Sequence, residues 1–483
     1  MFKSTSVYKK FPRTFWVANT MELFERWAYY GIFAVLAIYL TSAKDTGALG
    51  FTHMQKGVLM GTFGGIVYFL PVITGSIADR IGFKKVLIMA YFVLISGYYL
   101  LGQVHSYAAV MTVLVYTAIG AALFKPVVSA TIAKTTTKET SSIGFGIFYM
   151  IVNVGGFIGP IVASKVREID WSFVFIVSSL AITLNLILVI LFYREPDRIR
   201  QPGNLISSIG KIFKNIVEVL TDLKFTLFLI LIVGFWIMWW QLYFTLPIFI
   251  QDWTDTTTVY HLISNISPWI ASKIGTAEGT IAPEMLINLD AFYIILFQVL
   301  ISTLVMKWKP LSAMISGIFV ATIGLTLWFV FQNGLFLFAS LLIFAIGEMS
   351  SSPKITEYLG RIAPKDKVAL YMGMSFLPMA GGNFFGGLLS GKAYEMFADK
   401  FTFLKTELSS RGLSLPEISE NFTQTDYWNQ AKTLLDFTDS ELTRFLWTNY
   451  HPDRIWIVYT SLGLFTGIAL LLYDKFLLKS VKD

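Results

Sequence analysis

The stretch from residue 172 to 193, SFVFIVSSLAITLNLILVILFY, contains 22 consecutive residues without a charged side chain. A helix needs roughly 20 mostly apolar residues to cross the hydrocarbon core of a membrane. This stretch meets that requirement, and the next residue, Arg194, is charged. The stretch therefore predicts a membrane-spanning helix that ends near Arg194.

Eleven further stretches of the chain predict spanning helices in the same way. The twelve candidate spans, numbered 1 to 12 along the chain, are 14–40, 55–78, 86–104, 108–133, 142–164, 172–193, 225–250, 286–306, 310–331, 335–354, 368–396 and 454–473. We therefore predict an all-α membrane protein with twelve transmembrane helices. Its predicted parts are a six-helix bundle at 1–193, a cytoplasmic linker at 194–224 and a second six-helix bundle at 225–483.

The composition agrees with a membrane protein. Hydrophobic residues make up 55% of the 483 residues and charged residues only 14%, whereas soluble domains usually contain about 25% charged residues. The net charge of +7 is explained by the Lys- and Arg-rich cytoplasmic loops of membrane proteins, so we expect no nucleic-acid partner. The absence of cysteine excludes disulfides and thiolate metal sites.

The distribution of basic residues predicts the orientation in the membrane. Loops on the side of the N-terminus contain Arg80, Lys84, Lys85, Lys134, Lys138, Lys307, Lys309, Arg361, Lys365 and Lys367. The shorter loops on the opposite side contain Lys44, Lys165, Arg167 and Lys273. Because cytoplasmic loops carry the excess of Lys and Arg, we expect a multi-pass protein of the cell membrane, inner or plasma, with both termini in the cytoplasm.

Two segments outside the spans have local helix signals. Residues 205–220 have apolar side chains at helical spacing, which is typical of an amphipathic helix on the membrane surface and equally compatible with an ordinary polar connector. The extracytoplasmic insert at about 397–453 contains two capping-box patterns, Ser414-x-x-Glu417 and Thr438-x-x-Glu441. Each pattern predicts the start of a short helix.

Span 1 contains an unusual concentration of charge. Glu22, Glu25 and Arg26, followed by Tyr29 and Tyr30, lie within one arc of the helix, and Glu22 and Arg26 have the favourable i, i+4 spacing. Each charge inside a span costs roughly 2.5–3.5 kcal/mol on insertion scales. Three are more than helix association requires, so a functional site is favoured over a cluster that only holds helices together.

Further polar residues lie in other spans. Lys125 in span 4 needs an anion, and the span 1 carboxylates are its expected partners. Glu348 in span 10 has no basic residue near it in sequence except Lys354, so it should be protonated or neutralised by a ligand cation. Asp290 lies at the outer end of span 8, where an interfacial position is an equally good explanation. Weaker polar signals are Tyr68, Asn153 and Gln241.

These charges divide between the two halves of the chain. The N-terminal half offers the cations Arg26 and Lys125, and the C-terminal half offers the anion Glu348. In transporters built from two halves, the substrate site lies between them near the midplane of the membrane. Such a site would suit a zwitterion.

The loop after span 2 carries a family signature. The stretch Gly75-Ser-Ile-Ala-Asp79-Arg80-Ile-Gly82-Phe-Lys84-Lys85 resembles the helix 2–3 loop motif of the major facilitator superfamily. The resemblance implies that superfamily's fold of two six-helix bundles. It also implies that Asp79 and Arg80 form a charge latch that favours one conformation.

Four motifs resemble the proton-dependent oligopeptide transporter family within that superfamily. Glu22-Leu-Phe-Glu25-Arg26-Trp-Ala-Tyr29-Tyr30-Gly31 resembles its ExxER motif, and the stretch 145–157, FGIFYMIVNVGGF, resembles its span 5 signature. Phe124-Lys125-Pro126 and Gly347-Glu348-Met349 resemble its span 4 and span 10 elements. The similarity covers both halves and is strongest in the first.

The resemblance implies a proton-coupled symporter that takes up di- or tripeptides by alternating access. The implied proton-coupling residues are Glu22, Glu25, Arg26 and Lys125. The implied substrate-binding residues are Arg26, Tyr30, Tyr68, Lys125, Asn153, Gln241 and Glu348, with the cations meeting the peptide carboxylate and Glu348 meeting its amino group. The expected partners are the peptide, protons and membrane lipid, and the protein is expected to be a monomer.

The C-terminal half departs from the family pattern in three places. An acidic residue commonly precedes Gln241, where this chain has Trp240; Asn-Pro is replaced by Asp290-Ala291; and a span 11 Trp is replaced around Ser375. The alternative substrate is therefore another small zwitterion or organic anion. An enzyme is not expected, because the sequence has no HExxH, GxSxG or P-loop motif, and no cofactor or metal is expected.

Overall fold

A computed structural model describes residues 9–137, 139–196, 205–328, 332–364 and 368–478. These residues are almost entirely helical. Within them, extended pairing is limited to two isolated bridges, Asp255 with Asn333 and Gly275 with Ile281. The all-α prediction is therefore confirmed.

Helices occupy all twelve predicted span positions. In order along the chain they are Arg13–Thr41, His53–Phe69 with Pro71–Ile81, Phe83–Leu101, Tyr107–Lys134, Ser141–Arg167, Trp171–Leu191, Leu223–Trp239 with Gln241–Phe244 and Leu246–Trp253, Pro283–Ile287 with Leu289–Val305, Pro310–Leu327, Leu335–Ile362, Val368–Gly373 with Phe376–Phe397, and Ile455–Tyr473. By length and composition, ten described helices could cross a membrane, and the bent pair of span 2 makes an eleventh. Span 11 is helical but less apolar, since it contains Lys392 and Glu395.

Prolines explain where two of the spans are interrupted. Span 2 bends by 47° between Phe69 and Pro71, because proline has no N–H to donate to the preceding turn and its ring clashes there. Span 7 is divided at Trp240 and again at Thr245, two residues before Pro247. The second break leaves backbone groups that side chains must satisfy, as described below.

The two groups of six helices pack internally and then against each other. Span 1 packs on spans 5 and 6, and span 9 packs on spans 10 and 12. The halves meet most closely where span 2 crosses span 11, at Gly57, Gly61, Gly387 and Gly391. A Cβ atom on Gly61 would lie 2.8 Å from a main-chain oxygen of span 11, and one on Gly391 would lie 2.7 Å from the carbonyl of His53. Only glycine permits this crossing.

The molecule has two opposite faces, which we call the terminal side and the insert side. The terminal side carries the first residues of span 1, the linker and the end of span 12, and the insert side carries the residues between spans 11 and 12. Of the two possibilities that the sequence left open for the linker, the structure has the helix, at Leu205–Leu220, and this helix contacts Pro71–Ile81 of span 2 and Val368–Gly373 of span 11. It therefore contacts both halves.

The insert contains three helices, Lys400–Ser410, Gln424–Leu435 and Asp439–Tyr450. The capping box at Thr438 and Glu441 is present as predicted. The one predicted at Ser414 is wrong, since residues 413–419 are not helical. Pro416 disfavours the helical conformation at the residue before it. The helix begins instead after Thr423, whose capping box uses the shorter side chain of Asp426.

Candidate functional site

The charge cluster of span 1 is buried and internally paired. Arg26 Nε lies 3.2 Å from Glu22 Oε1 and donates a hydrogen bond of 2.6 Å to Glu25 Oε2, and a second guanidinium nitrogen also contacts Glu25. The side chains of Arg26 and Glu22 are 7% exposed, and that of Glu25 is fully buried. The predicted i, i+4 pairing is confirmed, and Arg26 binds both carboxylates.

Aromatic rings and glycines hold this cluster in place. The Arg26 guanidinium lies 5.1 Å from the centre of the Tyr29 ring and 5.9 Å from that of Tyr30, a favourable cation–π arrangement. Span 5 can approach span 1 closely because Gly155 has no side chain. A Cβ atom at that position would lie only 2.8 Å from Arg26 Cβ. On the same span, Asn153 donates its amide to the Tyr149 carbonyl at 2.8 Å.

Lys125 does not pair with the span 1 carboxylates as expected. Its ammonium nitrogen lies 3.8 Å from the centre of the Tyr68 ring and 6.0 Å from that of Phe376. Among the ion pairs of the described residues, none within 4 Å involves Lys125. The physical reason is that Arg26, on the same helix as both carboxylates, already occupies them. Lys125 remains near enough to interact electrostatically with Glu22 and Glu25.

Aromatic side chains of span 7 face the cation-bearing half. The Tyr30 and Tyr243 ring centres are 6.2 Å apart, and those of Tyr68 and Trp240 are 5.7 Å apart. Trp240 stands at the position where the family commonly has an acidic residue. The Tyr68 ring, against which Lys125 lies, therefore contacts the indole of Trp240 rather than a carboxylate.

Gln241 is engaged within the C-terminal half. Its amide nitrogen donates to the carbonyls of Ile237 at 2.8 Å and Gly386 at 3.3 Å, and its oxygen accepts a 2.6 Å hydrogen bond from the Thr245 hydroxyl. It is fully buried. These bonds satisfy main-chain groups next to the break in span 7 and tie span 7 to span 11. The predicted contact with substrate would use the remaining capacity of this amide.

Asp290 and Glu348 come together in the C-terminal half. Asp290 is 3% exposed, so its side chain is buried inside the protein. Its carboxyl interacts electrostatically with that of Glu348. Lys354, the only basic residue near Glu348 in sequence, is paired with Glu357 at 2.7 Å.

Asp79 and Arg80 lie on the terminal side, away from this cluster. They end the helix Pro71–Ile81, and the chain then turns at Gly82, whose φ of 112° favours glycine. The N–H of Phe83 donates to a Glu195 carboxylate oxygen at 3.0 Å, which fixes this loop to the end of span 6. The position suits the predicted latch.

Two polar contacts between the halves were missed by sequence reasoning. Lys56 is fully buried and donates to the Phe244 carbonyl at 2.8 Å and to the Ser390 hydroxyl at 2.7 Å. Arg167 binds Glu284 through two hydrogen bonds of 2.5 and 3.1 Å. Both cations lie near predicted span ends, where a basic residue is usually exposed, so the sequence held no signal of burial.

A cavity of about 840 Å³ opens on the insert side, between the ends of the spans and the insert. The titratable residues that line it include His53, Arg167, Asp252, Glu395, Asp399 and Lys400. Burial raises the pKa of Asp252 to about 6, although nearby Lys400 and a hydrogen bond with Tyr394 act in the opposite direction. The Tyr394 hydroxyl donates to Asp252 Oδ2 at 2.7 Å.

Sequence comparison finds similar transporters over part of the chain. "Uncharacterized transporter YclF" of Bacillus subtilis is 31% identical over 160 residues, 32% of each chain. "Dipeptide and tripeptide permease A" of Erwinia pyrifoliae is 28% identical over 197 residues, 40% of this chain and 39% of the permease. The chain thus spans about a third to two fifths of the length of the curated relatives it matches.

Structure comparison covers nearly the whole chain. A POT family transporter in complex with a thioalcohol-conjugated peptide matches with a TM-score of 0.71 and 18% identity, over 97% of this chain and 99% of that one. The nucleoside transporter NupG matches with a TM-score of 0.65 and 13% identity, over 95% and 99%. These likenesses show the fold. The Major Facilitator Superfamily model matches residues 15–264, more than half of the chain, and the protein belongs to this superfamily of multi-pass membrane transporters.

Proposed function

We propose that this protein is a proton-coupled symporter that takes up di- or tripeptides across the cell membrane by alternating access. The observation that carries the proposal is the buried cluster in which one guanidinium, Arg26, binds both Glu22 and Glu25 beside the ammonium of Lys125. The sequence of this cluster resembles the ExxER motif of the peptide transporter family. The similarity to the dipeptide and tripeptide permease named above supports the same substrate.

The cluster can link a proton to an anionic ligand. When both carboxylates are ionised, they and the two cations Arg26 and Lys125 sum to zero charge. If one carboxylate takes up a proton, it no longer attracts the cations, and the cluster has one positive charge to offer. A peptide carboxylate can then bind Arg26 or Lys125. Proton and peptide thereby favour each other's binding, which is the requirement for symport.

The substrate would lie between this cluster and the carboxyls of the C-terminal half. Tyr30, Tyr68 and Asn153 would line its path on the N-terminal side, Glu348 would meet its amino group, and Gln241 would contribute from span 7. The bundles 1–193 and 225–483 would move relative to each other about the linker 194–224. In this mechanism Asp79 and Arg80 form the latch, the termini are cytoplasmic, and the unit is a monomer in lipid.

A second substrate class is favoured by one feature. Trp240 and Asp290 replace residues that the peptide transporter family commonly has in its C-terminal half, so the pocket there differs. Another small zwitterion or organic anion is therefore the alternative cargo. A solved POT family transporter in complex with 5-aminolevulinic acid is similar to this chain in fold.

Uptake into proteoliposomes tests the proposal. Radiolabelled dialanine should accumulate when the outside is acidic or the inside is negative, and a protonophore should abolish accumulation. A membrane potential of 100 mV contributes about 2.3 kcal/mol per charge, enough for roughly fiftyfold accumulation if one charge moves per peptide. Protein-free vesicles are the control. Unchanged uptake after both gradients are dissipated would exclude proton coupling, and uptake of amino acids but not peptides would favour the alternative cargo.

A further inference from the structure

We propose that residues 257–274, between spans 7 and 8, lie in the headgroup region of the membrane leaflet on the insert side, with an apolar face turned into the lipid. We call these residues the 7–8 segment. They form two short helices, Thr257–Ile266 and Pro268–Ile274, which pack on each other. The proposal concerns a lipid-binding surface, so it does not depend on which solute the protein transports.

The inner face of the 7–8 segment attaches it to the rest of the protein. Its apolar side chains there are buried or pack against the hydrophobic core, and they are Val259, Ile263, Ala271 and Ile274. Directly after the segment, the carbonyl of Gly275 accepts a 2.9 Å hydrogen bond from the Lys165 ammonium of span 5. The segment is therefore held in a defined orientation, with its other face outward.

This outer face is also apolar. Its large exposed side chains are Leu262, Ile266, Trp269 and Ile270. Ile266 is 76% exposed and Trp269 is 71% exposed. Neighbouring exposed apolar side chains of this size mark a surface that binds a membrane or another molecule.

The insert provides a comparison on the same side of the molecule. The structure describes all of residues 397–453, and among them Leu434, at 48%, is the one large apolar side chain with comparable exposure. The insert thus keeps its other large apolar side chains inside, as a water-facing segment does. The much shorter 7–8 segment exposes four, so its outer face is not adapted to water.

The position of the 7–8 segment favours lipid over a partner protein. Gly275 pairs with Ile281 in an isolated bridge, which brings the chain back beside the end of the segment just before span 8 begins at Pro283. Span 8 itself exposes a row of large apolar side chains, Phe292, Ile295, Leu296, Val299 and Leu300, within the part that could cross a membrane. The outer face of the segment thus adjoins a lipid-facing helix.

The chemistry of the outer face suits the membrane–water interface. Tryptophan is enriched at this interface, where its ring contacts lipid and its N–H stays near water. Lys273, one turn after Trp269, is exposed and can reach lipid phosphates. A short helix with apolar residues on one side and polar residues on the other lies in the plane of such an interface.

Single nitroxide labels test the proposal, because the chain contains no cysteine. The labels are attached to Ile266→Cys and Trp269→Cys on the segment and to Leu434→Cys on the insert as the matched control, each in the full-length protein in lipid nanodiscs. Oxygen concentrates in lipid and a nickel chelate stays in water. We expect the ratio of oxygen to nickel collisions to be about threefold or more higher on the segment than at Leu434, since an interfacial helix buries its apolar face in the headgroup and acyl boundary.

Equal ratios at the three positions would place the outer face in water and overturn the proposal. Exclusion of both reagents from Ile266 and Trp269, with free access at Leu434, would show that a protein covers the face and would overturn it as well. If either labelled variant fails to fold, Leu262→Cys on the same face takes its place. The measurement involves no transport, so its outcome and that of the uptake assay are independent.

Discussion

The two halves of this transporter stabilise buried acidic residues in opposite ways. In the N-terminal half, Glu22 and Glu25 lie on the same helix as Arg26, which binds both. In the C-terminal half, Asp290 and Glu348 come from different spans and interact electrostatically with each other, and no ion pair among the described residues includes either of them. The first half carries its own counter-charge, whereas the second must take its counter-charge from solution, as a proton or as a ligand.

Removing Lys125 is the most severe test of this difference. Among the described ion pairs, none includes Lys125, so its loss should leave the paired cluster intact and the protein folded. Without the ammonium, the carboxylates hold a proton more firmly and the cycle cannot release it. We expect Lys125→Ala to reduce concentrative uptake of dialanine at least tenfold while exchange of internal for external peptide continues.

The matched variant Lys125→Arg keeps the positive charge and should retain part of the accumulation. Lys56→Ala, which removes another buried lysine far from the cluster, should retain its dependence on the proton gradient. Wild-type accumulation by Lys125→Ala would show that the ammonium takes no part in coupling.

Breaking the ion pairs of Arg26 with Glu22 and Glu25 should lower the stability of the folded protein. Arg26→Ala leaves Glu22 and Glu25 buried without their guanidinium, and removing one partner of a buried pair typically costs about 3–5 kcal/mol. We expect a clear fall in the unfolding temperature of the purified protein in detergent. Arg361→Ala, which breaks a pair whose arginine is 65% exposed, should change it little. Equal unfolding temperatures for wild type and Arg26→Ala would show that the cluster is not held by this pairing.

Asp252 is a further buried acidic residue, and it accepts a hydrogen bond from Tyr394. It lies in the last turn of the span 7 helices, beyond the part Leu223–Phe244 that could cross a membrane, and its pKa is raised to about 6 by burial despite its bond with Tyr394. Because the folded protein binds this proton more tightly than the unfolded chain, its stabilising contribution is complete below the ordinary pKa of about 4 and is lost as the pH rises through 6.

The expected effect is a small one. Between pH 4 and pH 7.5 the wild type should lose a few degrees of unfolding temperature that Asp252→Asn does not lose, since asparagine stays neutral and can still accept the tyrosine hydrogen bond. Thermal unfolding measured at both pH values, with Asp255→Asn at an exposed position nearby as the control, checks this. A parallel pH dependence in wild type and Asp252→Asn would contradict the assigned pKa.

Sequence reasoning succeeded where the relevant distances lie along the chain. All twelve span positions follow from runs of apolar residues, and the Glu22–Arg26 pair follows from helical periodicity. It failed where the outcome depends on how helices are rotated against one another. Lys125 lies over Tyr68, and Asp290 is buried beside Glu348; neither contact can be read from spacing. The helix expected at Ser414 failed for a local reason, the effect of Pro416 on the residue before it.

The glycine crossing of spans 2 and 11 gives the molecule a fulcrum. At Gly57, Gly61, Gly387 and Gly391 the halves touch through main-chain atoms, next to the hydrogen bond between Lys56 and Ser390, so a tilt of one half against the other would turn about this point. A helix that continues for 20 residues beyond such a point is about 30 Å long, and tilting it by about 10° moves its far end by about 5 Å. A tilt that hardly moves the atoms at the crossing therefore moves the helix ends on the terminal side by several ångström.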